Sequence, residues 1–297
     1  MSARLPRPPA WTLAVGSMAS VQLSAALSTG LIAQVGAGGT AWLRTTIGAL
    51  VFVVLVRPSL RSVRRRDVPT LLALGATTGA MSVLFLAAIQ RIPLGTAVAI
   101  EFLGPLTVAA LGSRRPTALI WPGVALVGVV VLTDPWSGAV DPLGVLLAVL
   151  AALGWALYIR LTQRVGDRYQ GVQALALTIP VAAVVTAVIG VPQAVGGLTP
   201  NVLLIAAGLA LLMPVLPFAL EMLALQRMTA HAFGTLMALE PAFGVLLGAL
   251  LLQQVPAPVQ IGGVALVVLA GAAAQRGGTR SAVVSPDPGV PIPPPAP

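Results

Sequence analysis

Two carboxyl side chains stand deep inside long apolar runs, Glu101 and Glu240, and a proline follows each closely, in Glu101-Phe102-Leu103-Gly104-Pro105 and Glu240-Pro241. An ionisable group at the centre of a bilayer costs at least about 2.5–3.5 kcal/mol on insertion scales, so it marks a pathway or a paired site. A carboxyl so placed can receive a substrate ammonium or exchange protons, or it can sit protonated and hydrogen-bonded between helices. The neighbouring proline removes a backbone donor and frees a carbonyl toward a polar cavity.

Two further ionisable residues lie in or at the edge of apolar runs. Arg44 fits either of two roles, snorkelling to the interface or clamping a carboxylate with its forked guanidinium. Glu221 reads as a structural pair, a gate or a ligand. Ser17, Ser20, Ser24 and Ser28 are spaced by three and four residues and share one helical face. Their hydroxyls either line a wet path or let helices approach closely. At an offset of 130, Ser24 falls on Gly154 and Ser28 on Tyr158, so a small or polar face recurs there.

Enzymatic constellations are missing: no His-Glu-x-x-His, no serine paired with a base, no phosphate-binding glycine loop with its lysine. Cysteine is absent, which excludes disulfides, thiolate catalysis and cysteine-held metals. The one imidazole, His231, opens an apolar run and reads as a helix-end residue. No catalytic residue, cofactor or metal is therefore expected.

The elements that must hold these residues are membrane spans. Of 297 residues 57% are hydrophobic and 8% charged, where an ordinary soluble domain carries roughly 25% charged residues. A hydrocarbon core of about 30 Å needs about 20 apolar residues per helix. Runs between glycine, proline and arginine breaks predict ten spans near residues 12–33, 40–57, 70–90, 93–113, 118–134, 142–160, 171–191, 201–225, 229–252 and 257–275. On that count Glu101 lies about 12 Å and Glu240 about 16 Å into the bilayer, from opposite sides. With the N-terminus inside, every one of the 17 arginines except Arg44 and Arg91 falls on the cytoplasmic side. The net charge of +9 thus sets orientation rather than marking a nucleic-acid groove, and no nucleic-acid partner is expected.

The chain also resembles itself. Leu86-Ala87-Ala88-Ile89-Gln90-Arg91-Ile92 matches Met222-Leu223-Ala224-Leu225-Gln226-Arg227-Met228, and the same offset of 136 sets Pro105 on Pro241. Gly123-Val124-Ala125-Leu126 recurs as Gly263-Val264-Ala265-Leu266. Five spans per copy is an odd number, so the second copy enters the membrane inverted, an arrangement that permits two packings around a midplane site. Glu101 and Glu240 are not strict mates: at the offset of 136, Glu101 falls on Met237 and Glu240 on Gly104. The expected architecture is all-α, ten transmembrane helices as two inverted five-helix repeats, over residues 12–134 and 142–275. Residues 1–11 form a cytoplasmic N-terminus, and the proline-rich residues 276–297 a disordered cytoplasmic tail.

These stretches carry a resemblance up to about Gln275. Ala41-Trp42-Leu43-Arg44, Pro93 to Pro105, Ser113-Arg114-Arg115-Pro116, Leu216 to Met222 and Phe233 to Pro241 are similar to EamA-type drug/metabolite transporters, and among them to the bacterial threonine/homoserine exporter branch. The resemblance implies proton-driven efflux of small amino acids across the inner membrane, with both termini cytoplasmic and the subunit a monomer or homodimer among lipids. In that reading Glu101 and Glu240 meet ammonium or protons and Arg44 meets the carboxylate. Ser20, Ser24, Ser28 and Tyr158 line the path, with Glu221 at its cytoplasmic end. Another metabolite or a toxic amphiphile as cargo is the alternative, and a non-transporting scaffold a more distant one. One departure stands out: Gln253-Gln254 occupies the end of span nine, where the family usually carries an acid.

Overall fold

Apolar runs punctuated by proline and glycine fold as helices throughout, and the computed structural model describes residues 9–59, 63–112, 116–133, 141–166, 169 and 171–276. The expectations for residues 1–8, for Ser113-Arg114-Arg115 and for the tail beyond 276 lie outside the described residues. The helices are α1 (Ala10–Val56), α2 (Val68–Ile89), α3 (Leu94–Glu101), α4 (Leu103–Gly112), α5 (Ile120–Thr133), α6 (Pro142–Gly166), α7 (Gly171–Ala194), α8 (Pro200–Ala210), α9 (Leu216–Leu225), α10 (Ala230–Met237), α11 (Glu240–Leu252) and α12 (Pro258–Arg276). Among the described residues, seven helical segments are long and apolar enough to cross a membrane, and Ile120–Thr133 and Pro258–Ala274 are shorter apolar helices.

α1 has 47 residues, which straight would reach about 70 Å, more than twice a bilayer core. It does not run straight. Gly36 takes φ 74° and ψ 167°, a left-handed φ that suits a residue without Cβ. Residues 10–35 and 37–56 fold back on each other, so that Arg44 reaches Ser28. The new helix start after Gly36 is held from outside: Gln193 Oε1 accepts the N–H groups of Gly38 at 2.9 Å and Gly39 at 3.3 Å. Two positions, Gly36 and Arg57, thus define opposite ends of the molecule, called here the Gly36 end and the Arg57 end.

Three other runs bend where proline denies the helix a donor. α3 and α4 are separated at Phe102, α10 and α11 at Ala238 and Leu239, and α8 and α9 by a π turn over Leu211–Val215 in which Met213 is extended. Packing pairs distant parts of the chain: α1 with α7, α8 and α9, α2 with α6 and α7, α3 with α11, and α5 with α12. Small residues make these contacts close. A methyl on Gly75 or Gly79 would meet α7 backbone at Thr178 and Ala182, and one on Gly104 would meet the Ala152 carbonyl of α6. Large apolar side chains such as Leu55, Val188, Leu204 and Leu269 face outward, as a lipid-facing perimeter requires.

Candidate functional site

The antiparallel pair α3 and α11 positions both buried carboxyls. At the Gly36 end, Leu94 N–H donates to Gln254 Oε1 at 2.9 Å. Further in, a methyl on Gly95 would meet Val245 and one on Gly244 would meet Val98. Carrying this register one more turn brings Glu101, the last residue of α3, opposite Glu240, the first of α11. Both are buried, 9% and 5% exposed, and Glu240 lies within electrostatic reach of Glu101 and Glu221. Two carboxyls sharing so dry a site can hold a cation or a proton between them.

The helix breaks explain the placement. Pro105 offers no N–H to the carbonyl of Glu101, and Pro241 none to that of Met237. Glu101 and Met237 are mates at the offset of 136, as are Phe102 and Ala238 at the two breaks. A methyl on Gly271 of α12 would touch both Phe102 and Ala238, so the two breaks meet at one point. At the offset of 136 the break thus recurs, while the carboxyl precedes it at Glu101 and follows it at Glu240.

The remaining predicted residues divide. Ser17 donates to Glu221 Oε1 at 2.9 Å and to the Pro217 carbonyl at 3.4 Å, Ser20 to the Leu212 carbonyl at 2.7 Å, and Ser24 to the Leu209 carbonyl at 3.2 Å. Their hydroxyls serve the distorted backbone from α8 to α9. Ser28 donates to the Ser24 carbonyl at 2.6 Å and accepts from Arg44 Nη1 at 3.0 Å. Arg44 is thus half-buried and anchored on α1. Tyr158 packs beside the apolar cluster of Leu71, Leu74 and Leu161 and comes within electrostatic reach of Glu221. Glu221, Ser17 and Tyr158 consequently gather toward the Arg57 end, Glu101 and Glu240 at mid-depth, and Arg44 with Ser28 toward the Gly36 end.

Several polar side chains, or the contacts they make, escaped the sequence reading. Gln193 and Gln254 cap helix starts 155 and 160 residues away in sequence, a pairing that no local pattern announces. Gln22 is 3% exposed, and its Oε1 accepts no hydrogen bond among the described residues. A lone amide in the middle of an apolar span was the available signal. Trp155 pairs edge to face with Phe102, ring centroids 6.4 Å apart, next to the first break.

The sequence profile of the EamA-like transporter family matches residues 142–273. The chain is 37% identical over 268 residues to the threonine/homoserine exporter RhtA of Escherichia coli (strain K12), covering 88% of this chain and 90% of that protein. It is 38% identical over 249 residues to RhtA of Salmonella typhimurium (strain SL1344), covering 82% and 84%. A crystal structure, 18% identical, matches with a TM-score of 0.61 over 89% of this chain and 96% of its own.

Proposed function

The chain belongs to the EamA-like transporter family, and on that premise we propose that it is an inner-membrane exporter of small amino acids of the threonine and homoserine kind. The observation that carries this reading is the 37% identity to a threonine/homoserine exporter along 88% of the chain. Buried carboxyls at two meeting helix breaks support it, because an amino acid brings an ammonium that needs such a partner in a dry site.

The architecture belongs to the same proposal. Counting residues 10–35 and 37–56 as two spans, and adding the two shorter apolar helices, brings the seven long segments to ten. In that count α5 packs on α12 and the second part of α1 on α7, each the partner of its own repeat mate. The contacts of α1 with α8 and of α2 with α6 are exchanged by the same two-fold relation. The repeats span 12–134 and 142–275 in inverted orientation, 1–11 and 276–297 being cytoplasmic ends. The Arg57 end then faces the cytoplasm.

Export proceeds by alternating access. An amino acid enters past Glu221 and Tyr158, its ammonium is met at Glu101 and Glu240, and its carboxylate is met by Arg44, whose guanidinium is steadied by Ser28. Return of protons to the two carboxyls as cargo leaves couples efflux to the proton gradient. Ser20 and Ser24 keep α1 seated on α8 beside this path. The test is counterflow in proteoliposomes with threonine, homoserine and a panel of unrelated metabolites. Threonine and homoserine exchange is expected in the parent, and Glu101→Gln and Glu240→Gln are expected to abolish proton-driven efflux while the protein still folds. Full pH-dependent efflux in both variants would overturn the roles given to the carboxyls, and exchange of only unrelated solutes would overturn the cargo.

A further inference from the structure

Gln22 is a buried polar side chain that neither the packing nor the ammonium, proton and carboxylate contacts above account for. It lies about 18 Å along α1 from Ala10 at 1.5 Å per residue, at the depth of the two carboxyls. An acceptor left unpaired away from water destabilises a fold, and native proteins keep such groups where a ligand or a water completes them.

Its direction follows from the helix. At 100° per residue, Gln22 is about 160° around α1 from Ser20 and Ser24, whose hydroxyls address α8. Met18, one turn earlier, belongs to an apolar cluster with Met237, Leu239 and Phe243 packed on it. Ala26, one turn later, belongs to the cluster of Val98, Phe102 and Ala238. Gln22 therefore lies on the face of α1 that packs toward the two helix breaks where Glu101 and Glu240 stand.

We propose that Gln22 reads the side-chain hydroxyl of the transported amino acid, an inference that rests on the amino-acid export reading. A primary amide both donates and accepts, as a hydroxyl does. Its flexible side chain can follow that hydroxyl on either the β or the γ carbon, the difference between threonine and homoserine. Discrimination arises because an analogue without the hydroxyl leaves the amide oxygen unpaired.

The test uses the full chain in proteoliposomes, with labelled threonine competed by homoserine or by 2-aminobutyrate, which has the carbon skeleton of both and no hydroxyl. The parent should prefer the hydroxylated pair by about tenfold or more. Gln22→Leu should bring the three near parity by weakening threonine and homoserine, with 2-aminobutyrate unchanged. Its thermal midpoint should stay level or rise, because an unpaired buried acceptor has been removed. Gln22→Met, of similar volume, gives the same expectation should the leucine variant fold poorly. A parent that does not distinguish 2-aminobutyrate, or a folded variant that keeps the parental ratio, overturns the role of Gln22 and leaves amino-acid export standing. A parent that moves none of the three overturns the export reading and this inference together.

Discussion

Gln254, just past the end of α11, ties that helix to the start of α3. Its Oε1 accepts the Leu94 N–H at the start of α3, one of the donors that a helix start leaves unpaired. A carboxylate could accept the same bond and would be attracted to the positive end of the helix dipole. Gln254→Glu is therefore expected to melt at or above the parental temperature, whereas Gln254→Ala should lose about 1 kcal/mol as a missing cap does. Thermal melts of the solubilised protein decide this, and an alanine variant as stable as the parent would show that the cap is dispensable. At this scale, charge was what the sequence displayed. Glu101, Glu240 and Arg44 stand out against apolar neighbours, while Gln22, Gln193 and Gln254 are neutral and take their meaning from partners or from the want of one.

The elements were legible in their long apolar runs and in their prolines, less so in what the prolines accomplish. Gly36-Ala37-Gly38-Gly39 marks a break in sequence, and the structure adds that Gln193 holds the new helix start there. Pro214 and Pro217 predict a distorted span; the π turn at Leu211–Val215 and the serines of α1 that serve its carbonyls depend on contacts nearly 200 residues apart. The breaks at Phe102 and Ala238 give an element-scale prediction. Replacing Pro105 or Pro241 by alanine supplies an N–H for the carbonyl of Glu101 or Met237 and favours a continuous helix. Each variant should remain folded and melt no lower than the parent, yet exchange threonine at least about tenfold more slowly, a loss of about 1.4 kcal/mol at the transport barrier. Unimpaired counterflow in both would mean that the breaks are packing features without a part in transport.

Across the whole molecule, hydrogen bonds join the two halves of the sequence at both ends. At the Arg57 end Tyr169 Oη donates to Asp67 Oδ2 at 3.1 Å and accepts the Arg64 N–H at 3.3 Å. At the Gly36 end Arg91 pairs with Asp141 at 3.0 Å. The hydrogen bond from Arg91, followed by those from Leu143 and Gly144 N–H, holds the Asp141 carboxyl below its usual range. A lowered folded-state value means that this tie contributes at any pH above the free carboxyl's value of about 3.9 and is lost as pH falls through the lowered one. Melts of Asp141→Asn against the parent should show a small, constant gap between about pH 5 and 8 that closes below about pH 4; a gap that changes near neutrality would contradict the assignment. The ties also predict how alternation responds to their loss. Because the chain has no cysteine, single cysteines at Val15, toward the Arg57 end, and at Thr96, beside a cavity of about 270 Å³ at the Gly36 end, report each side with a maleimide. Tyr169→Phe removes both hydrogen bonds of the hydroxyl, and a loss of even about 1 kcal/mol is enough to shift a two-state ratio about fivefold. It should therefore raise labelling at residue 15 severalfold and lower it at residue 96, and Arg91→Gln should act in the opposite sense and more weakly, its pair being exposed. Reporters that rise together under either substitution would indicate local loosening, and the two ends would then not be coupled through the carboxyl pair between them.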